Sequence, residues 1–93
     1  MAVTNATITR VASSASSVML ADANRNRRGL TIYNESTANL YVKCNATATT
    51  TDYTVKVLPG GYVNFRGNPI YVGRIDGIWS AANGAAQVTE FYG

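Results

Sequence analysis

Apolar side chains alternate with polar ones along most of this chain, and no other feature of the sequence restricts its fold as strongly. Leu30 and Ile32 alternate with Thr31 and Tyr33, and the same pattern returns around Val42. Because successive side chains of a strand point to opposite faces of a sheet, a period of two predicts half-buried strands. Apolar residues nowhere recur at helical spacing for more than two turns. The alternation therefore predicts an all-β chain.

Turn signals divide the alternating segments into short pieces. Pro59-Gly60-Gly61 predicts a type II turn, because proline presets φ and glycine accepts a positive φ. Asp76-Gly77 and Asn83-Gly84 are dipeptides that favour hairpin turns. The polar, low-complexity runs at 13–17 and 47–51 are predicted to be loops. Strands are predicted at residues 3–11, 16–21, 29–34, 39–44, 53–58, 61–66, 70–75, 77–82 and 86–92.

Eight or nine strands at intervals of about ten residues are typical of small all-β domains. No linker or change in composition interrupts the 93 residues. We therefore predict a single domain over residues 1–93, folded as an antiparallel β-sandwich with jelly-roll-like connections or as a small barrel. Such a short chain has a thin core, so part of its stability is expected to come from neighbouring subunits.

The first predicted strand differs from the others because it contains few large apolar residues. Val3, Ile8 and Val11 are separated by threonine and other short or polar residues. We expect residues 1–12 to form an N-terminal arm or an edge strand. The unpaired backbone groups of an edge strand can pair with another chain.

Composition excludes several kinds of chemistry. The chain has no histidine, and its single cysteine, Cys44, has no partner for an internal disulfide. A Ser-His or Cys-His dyad and an imidazole metal ligand are therefore ruled out. Cys44 is in phase with Val42 and is predicted to be a small buried residue. We expect no enzyme activity, no cofactor, no metal and no small-molecule substrate.

Three arginines lie within four positions of a turn-like segment and are candidate contacts with a partner. Arg25, Arg27 and Arg28 carry guanidinium groups, which hold carboxylates bidentately. The alternative is a solvated loop in which one arginine pairs inside the domain. The candidate internal partners are Asp76, Glu35 and Glu90. The net charge of +3 is small and no aromatic residues accompany the arginines, so we expect no nucleic-acid partner.

Aromatic residues divide into inward and outward positions. Tyr33 and Tyr41 occupy the outward phase of their strands and are candidate partner contacts. Trp79, the only tryptophan, is predicted to lie in the core or at a subunit interface. Leu30, Ile32 and Val42 are predicted for the same inward set. The alternative places Trp79 with exposed tyrosines, among them Tyr71, in a sugar-stacking site.

Longer stretches of the chain resemble small virion proteins of tailed bacteriophages, and the likeness extends from Val3 to Phe91. The resembling segments are Arg27–Ser36, Leu40–Lys43, Tyr53–Val55, Pro59–Tyr62, Tyr71–Trp79 and Val88–Phe91. The resemblance implies an all-β capsid decoration (cement) protein that binds major capsid protein on the outside of the head. It also implies a homotrimer, made in the host cytoplasm and carried in the virion without a membrane partner.

Two alternatives to a shell location remain open at this point. Modules similar to these strings are also attached to head fibres or tails, and a carbohydrate-binding, host-attachment role fits the exposed tyrosines. The resemblance transfers no catalytic residues to this chain.

Overall fold

The computed structural model describes residues 3–93, which fold into eight strands and no helix. The all-β prediction is confirmed, and the sandwich is the form the chain adopts. Two antiparallel four-stranded sheets pack against each other around one core. The strands are β1 (Asn5–Ala12), β2 (Val18–Ala21), β3 (Arg27–Glu35), β4 (Leu40–Cys44), β5 (Val55–Val57), β6 (Tyr62–Arg66), β7 (Ile75–Trp79) and β8 (Ala85–Tyr92).

The strands pair as a ribbon that has been rolled up. Strand β1 pairs with β8, β2 with β7, β3 with β6 and β4 with β5, all antiparallel. Contacts of β3 with β8 and of β4 with β7 then close the roll. The resulting orders are β1-β8-β3-β6 in sheet A and β2-β7-β4-β5 in sheet B. These are the two sheets of an eight-stranded jelly roll.

Inward-facing side chains of the two sheets form the core that the alternation predicted. Leu30, Ile32, Val42 and Trp79 are each no more than 1% exposed. The indole Nε1 of Trp79 donates a hydrogen bond to Oδ1 of buried Asn34 at 3.2 Å. Burying the ring therefore leaves its polar atom satisfied. The lone tryptophan lies in the core and is not available to a ligand at the surface.

The PGG turn is confirmed in detail. The amide of Gly61 donates to the carbonyl of Leu58 at 2.8 Å, and Gly60 has a φ of 75°. Pro59 and Gly60 are thus the two central residues of a type II turn, which connects β5 to β6. The predicted loops at 13–17 and 47–51 are also irregular connections.

The predicted strands at 70–75 and 77–82 and the turn at Asp76-Gly77 between them are wrong. A single strand, β7, runs through this dipeptide. Asp76 is 1% exposed, and Gly77 is buried in the middle of β7, opposite Val18 of the neighbouring strand β2. A Cβ on Gly77 would lie 2.6 Å from Cδ1 of Leu20 and 3.1 Å from Cδ1 of Leu40, so this glycine leaves room for core side chains of the two neighbouring strands and does not form a turn.

Asn83-Gly84 lies in a connection between the sheets and forms no hairpin, because β7 belongs to sheet B and β8 to sheet A. Next to this connection, β1 is an edge strand of sheet A. It pairs with β8 along all its residues. The structure therefore gives the described part of the predicted segment 1–12 as an edge strand, while residues 1 and 2 lie outside the described residues.

Candidate functional site

The outer face of sheet A carries a set of outward side chains that no loop of residues 3–93 covers. Leu30 and Ile32 point into the core, so Thr31 and Tyr33 point outward, and the strand registers extend this face to the neighbouring strands. We call this surface the open face. Its members are Ala6, Ile8 and Arg10 on β1, Gln87, Thr89 and Phe91 on β8, Gly29, Thr31 and Tyr33 on β3, and Tyr62, Asn64 and Arg66 on β6.

Apolar and aromatic groups of the open face lie at both edges of the sheet. Ile8 on β1 is 68% exposed and Tyr62 on β6 is 67% exposed. Tyr33 is directly opposite Tyr62 in the register and is 38% exposed. On the same two strands, Thr31 is opposite Asn64, and Thr31 Oγ1 donates to Asn64 Oδ1 at 2.6 Å. The face therefore combines exposed anchors with short side chains, a composition suited to contact with a protein.

A shallow groove of about 490 Å³ lies at one end of the open face. Arg28 and Arg66 line it together with Asn64 and the ring of Phe91. A Cβ on Gly29 would lie 3.4 Å from Cδ2 of Phe91, so the absence of a side chain at Gly29 keeps the groove open beside this ring. Among residues 3–93, the lining contains two guanidinium groups and no carboxylate. Such a groove favours an acidic group of a partner, which guanidinium forks bind bidentately.

The outer face of sheet B is covered by residues 45–54 of the same chain. Lys43 Nζ, pointing outward from β4, donates to Asp52 Oδ2 at 2.7 Å and to the carbonyl of Thr47 at 3.3 Å. Ala48 is 1% exposed, and its amide donates to Ser17 Oγ at 3.0 Å. The loop therefore binds to this face through both backbone and side-chain contacts.

Beneath this loop lies a buried carboxylate. Asp76 accepts hydrogen bonds from Arg74 Nε at 2.6 Å and from Ser17 Oγ at 3.2 Å. The hydrogen bond and the charge of Asp76 raise the pKa of the Arg74 guanidinium above its ordinary value. Ser17 accepts from the loop amide while it donates to Asp76, so the cluster connects the loop to β7. The hydrogen bonds of this cluster therefore stabilise the fold.

Arg27 is not a partner contact, and its prediction as one is wrong. The side chain is fully buried, and Nε donates to Glu90 Oε2 at 2.8 Å. Its Nη1 donates to the carbonyls of Tyr71 and Gly73, each at 3.0 Å, and Nη2 donates to the carbonyl of Asp22 at 2.7 Å. The guanidinium thus connects the loops before β3 and β7 to β8. Of the three internal partners considered, Glu90 is the one that forms the pair.

The other two arginines occupy different places. Arg25 is exposed in the turn before β3, while Arg28 is half-buried and lines the groove of the open face. The three arginines therefore do not form one patch. The structure instead brings Arg66 beside Gly29 and so near Arg28. Sequence analysis missed Arg66, because the register of β6 on β3 determines this neighbourhood and no local pattern records it.

Tyr33 and Tyr41 both point outward, as predicted, but toward opposite sides of the domain. Tyr33 lies on the open face, whereas Tyr41 lies on the covered face of sheet B. The Tyr41 ring is half-buried and meets Tyr53 edge to face, with ring centroids 4.9 Å apart. A single flat contact that uses both tyrosines is therefore excluded by the fold.

The remaining expectations concern single residues and absences. Cys44, predicted to be buried, is half-buried at the end of β4 and forms no disulfide. Within residues 3–93 no three acidic or cysteine side chains converge as metal ligands would, and no helix has the length and hydropathy needed to cross a bilayer. No family model, curated protein or solved structure matches the chain.

Proposed function

We propose that this chain is an accessory structural protein of a tailed-bacteriophage particle. Its open face attaches to the outer surface of the head and bridges neighbouring major capsid proteins, as a decoration protein does. The observation that supports this most directly is the contrast between the two sheets. The chain covers the outer face of sheet B with its own loop but leaves the face with Ile8, Tyr33 and Tyr62 uncovered.

The composition of the open face suits a firm contact with a rigid partner. Thr31, Thr89 and Ala6 have little side-chain entropy to lose when they are covered. Tyr33 and Tyr62 supply rings of the kind that dominate binding energy at interfaces. The groove beside them is lined by Arg28 and Arg66, whose positive charge favours acidic groups of the shell.

Attachment also benefits from repetition. A shell presents the same site many times, so copies of this chain that contact each other are held by several weak contacts at once. Each open face therefore needs only moderate affinity. Sequence resemblance to virion proteins, over the segments named above, supports this setting.

The test is attachment to purified heads that lack this chain. Wild-type protein is mixed with the heads and the bound fraction is measured by co-sedimentation. Tyr62→Lys puts a charge on a residue that is 67% exposed on the open face, and we expect affinity to fall at least roughly tenfold. Leu58→Lys is the matched control, because Leu58 is 58% exposed on a turn outside the open face. Binding that survives Tyr62→Lys, or wild-type protein that does not bind heads, contradicts the proposal.

One observation favours a second candidate function, a carbohydrate-binding module for host attachment. Tyr33 and Tyr62 are exposed rings with Thr31 and Asn64 as polar neighbours, an arrangement that suits a sugar ring. Trp79 takes no part, because it is buried. A glycan array distinguishes the two functions. Glycan binding that Tyr62→Lys abolishes, without attachment to heads, supports the second candidate, whereas electron microscopy of particles separates shell from fibre or tail.

A further inference from the structure

The four edge strands of the sandwich are not equally protected against pairing with other chains. Strand β5 has three residues and contains Lys56, β2 has four residues with an irregular register, and β6 has five residues and ends at Arg66. Short length, bulges and edge charges are the usual devices that prevent edge-to-edge association. Strand β1 has eight residues in regular register, contains no proline or lysine, and is exposed along most of its length.

The single charge of β1 does not protect its edge. Arg10 lies on the open face, and its Nε is 3.5 Å from Glu35 Oε1 on β3. The side chain therefore reaches across β8 toward the middle of the sheet and away from the free edge. An unprotected edge of this length is a site for an added strand.

The ladder with β8 shows which backbone groups of β1 face outward. The amide of Ser13 donates to the carbonyl of Gly84 at 2.9 Å, in continuation of the pairs Val11 with Ala86 and Thr9 with Val88. Backbone groups of alternate residues point to opposite sides of a strand. The odd-numbered residues of β1 therefore bond to β8. The even-numbered residues, among them Ala6, Ile8 and Arg10, direct their NH and CO groups to the free edge.

We propose that β1 pairs antiparallel with β1 of a second copy of this chain, with Ile8 on the two-fold axis. In this register Ile8 lies opposite Ile8 of the second copy, and Ala6 lies opposite Arg10. The outward-directed amides and carbonyls of both strands then bond to each other. Ile8, which at 68% is the most exposed large apolar side chain of residues 3–93, packs against its own copy.

Other registers of the same pairing are less favourable. A two-fold axis at Arg10 makes two residues of like charge direct partners and separates the two Ile8 side chains, which is less favourable than a pair of neutral residues. An axis at Thr9 sets Ile8 against Arg10, and an axis at Thr7 sets it against Ala6. Only the axis at Ile8 brings the two isoleucines together and leaves the arginines apart. Self-complementarity of this kind is what an isologous interface requires.

The dimer changes what the open face can do, whether or not its partner is a phage shell. Antiparallel pairing at an edge keeps both open faces on the same side, in one continuous eight-stranded sheet, because each copy contributes four strands. Pairing of one strand buries less surface than a stable permanent dimer needs, so we expect association that depends on concentration. The trimer implied by the resemblance needs a different contact.

The test measures mass against concentration in the full chain. The mass of the wild type measured by sedimentation equilibrium is expected to rise from 9.9 kDa at low micromolar concentration toward twice that value at high micromolar concentration. Ile8→Lys places two ammonium groups at the axis and is expected to stay at the monomer mass. Leu58→Lys, an exposed substitution away from β1, is expected to dimerise as the wild type does.

Amide hydrogen exchange of the wild type supplies a second measurement that needs no variant. The amides of Ala6, Ile8 and Arg10 are expected to exchange more slowly as concentration rises, whereas those of Thr7 and Thr9, already bonded to β8, stay unchanged. A wild type that remains monomeric, a trimer, association without limit, or dimerisation of Ile8→Lys overturns the proposal. Failure of these tests leaves attachment by the open face intact, because Tyr62→Lys tests that separately.

Discussion

The two outer faces of the sandwich differ in whether their outward side chains are covered, although both sheets show the same alternation. On sheet B, residues 45–54 cover the outward side chains, and Lys43, Asp76 and Ser17 all bond within the domain. On sheet A, no loop of residues 3–93 crosses the open face, and Ile8, Tyr33 and Tyr62 remain exposed. Outward residues of a strand therefore contribute to stability on one side of this molecule and remain exposed to solvent on the other.

Arg25 and Arg27, only two positions apart, show the same contrast between an exposed and a covered side chain. Arg27 is fully buried with four donated hydrogen bonds, whereas Arg25 is exposed in the preceding turn. Their charge and side-chain length are identical. Only their position relative to Glu90 and the loop carbonyls differs, so identical chemistry has different consequences.

The largest loss of stability is expected when Arg27 is replaced, and this substitution tests the contrast between Arg27 and Arg25. Arg27→Met leaves three loop carbonyls without their donor and Glu90 without its cation, so we expect the free energy of unfolding to fall by about 3–5 kcal/mol. Arg25→Met is the matched control and should change it by less than about 0.5 kcal/mol. Urea unfolding followed by fluorescence of Trp79 measures both. Equal effects of the two substitutions would show that burial of Arg27 is not what distinguishes it.

A smaller loss is expected on the covered face. Asp76→Ala removes the acceptor of Arg74 and Ser17, and with it the connection from β7 to the loop, so stability should fall by about 2–3 kcal/mol. Amides of residues 45–54 should exchange faster. Asp52→Ala breaks an exposed pair with Lys43 and should cost less than about 1 kcal/mol. If the two variants are equally stable, the covering loop is not held through Asp76.

The two outward tyrosines give the sharpest test of the contrast, with stability effects smaller than those expected at Arg27 and Asp76. Tyr41→Ala loses the edge-to-face contact with Tyr53 and should cost about 1 kcal/mol or somewhat more. Tyr33→Ala on the open face should cost less than that, because its ring is already 38% exposed. Attachment to heads should show the reverse order, with Tyr33→Ala weakened and Tyr41→Ala unchanged. The same order in both assays would refute a division of roles between the faces.

Much of the fold followed from local patterns. Alternation identified the inward set of Leu30, Ile32 and Val42, and the Pro59-Gly60 pair identified a turn that the structure contains. The turn predicted at Asp76-Gly77 was wrong because this dipeptide is compatible with two structures. Glycine after aspartate suits a hairpin turn, but a glycine also suits a strand whose neighbours fill the space of its side chain, and the packing of Leu20 against Gly77 is a tertiary contact.

The tertiary neighbours of the candidate site residues were less predictable than the fold. Arg27 and Glu90 are 63 positions apart, and Gly29 meets Arg66 only through the register of β3 on β6. No nearby residue of the sequence indicates either neighbour. The weak apolar pattern of the first strand, in contrast, correctly indicated an edge.

The order of amino acids by itself determined that the chain forms strands, which side chains of each strand point inward, and that charge and reactive groups are scarce. These are local properties, because they depend on side-chain alternation and on turn residues a few positions apart. Only the tertiary structure decided which outward face a loop covers, which arginine is buried and which side chains become neighbours on the open face. Those outcomes depend on contacts between residues far apart in sequence, whose free energies arise only when the two sheets have packed together.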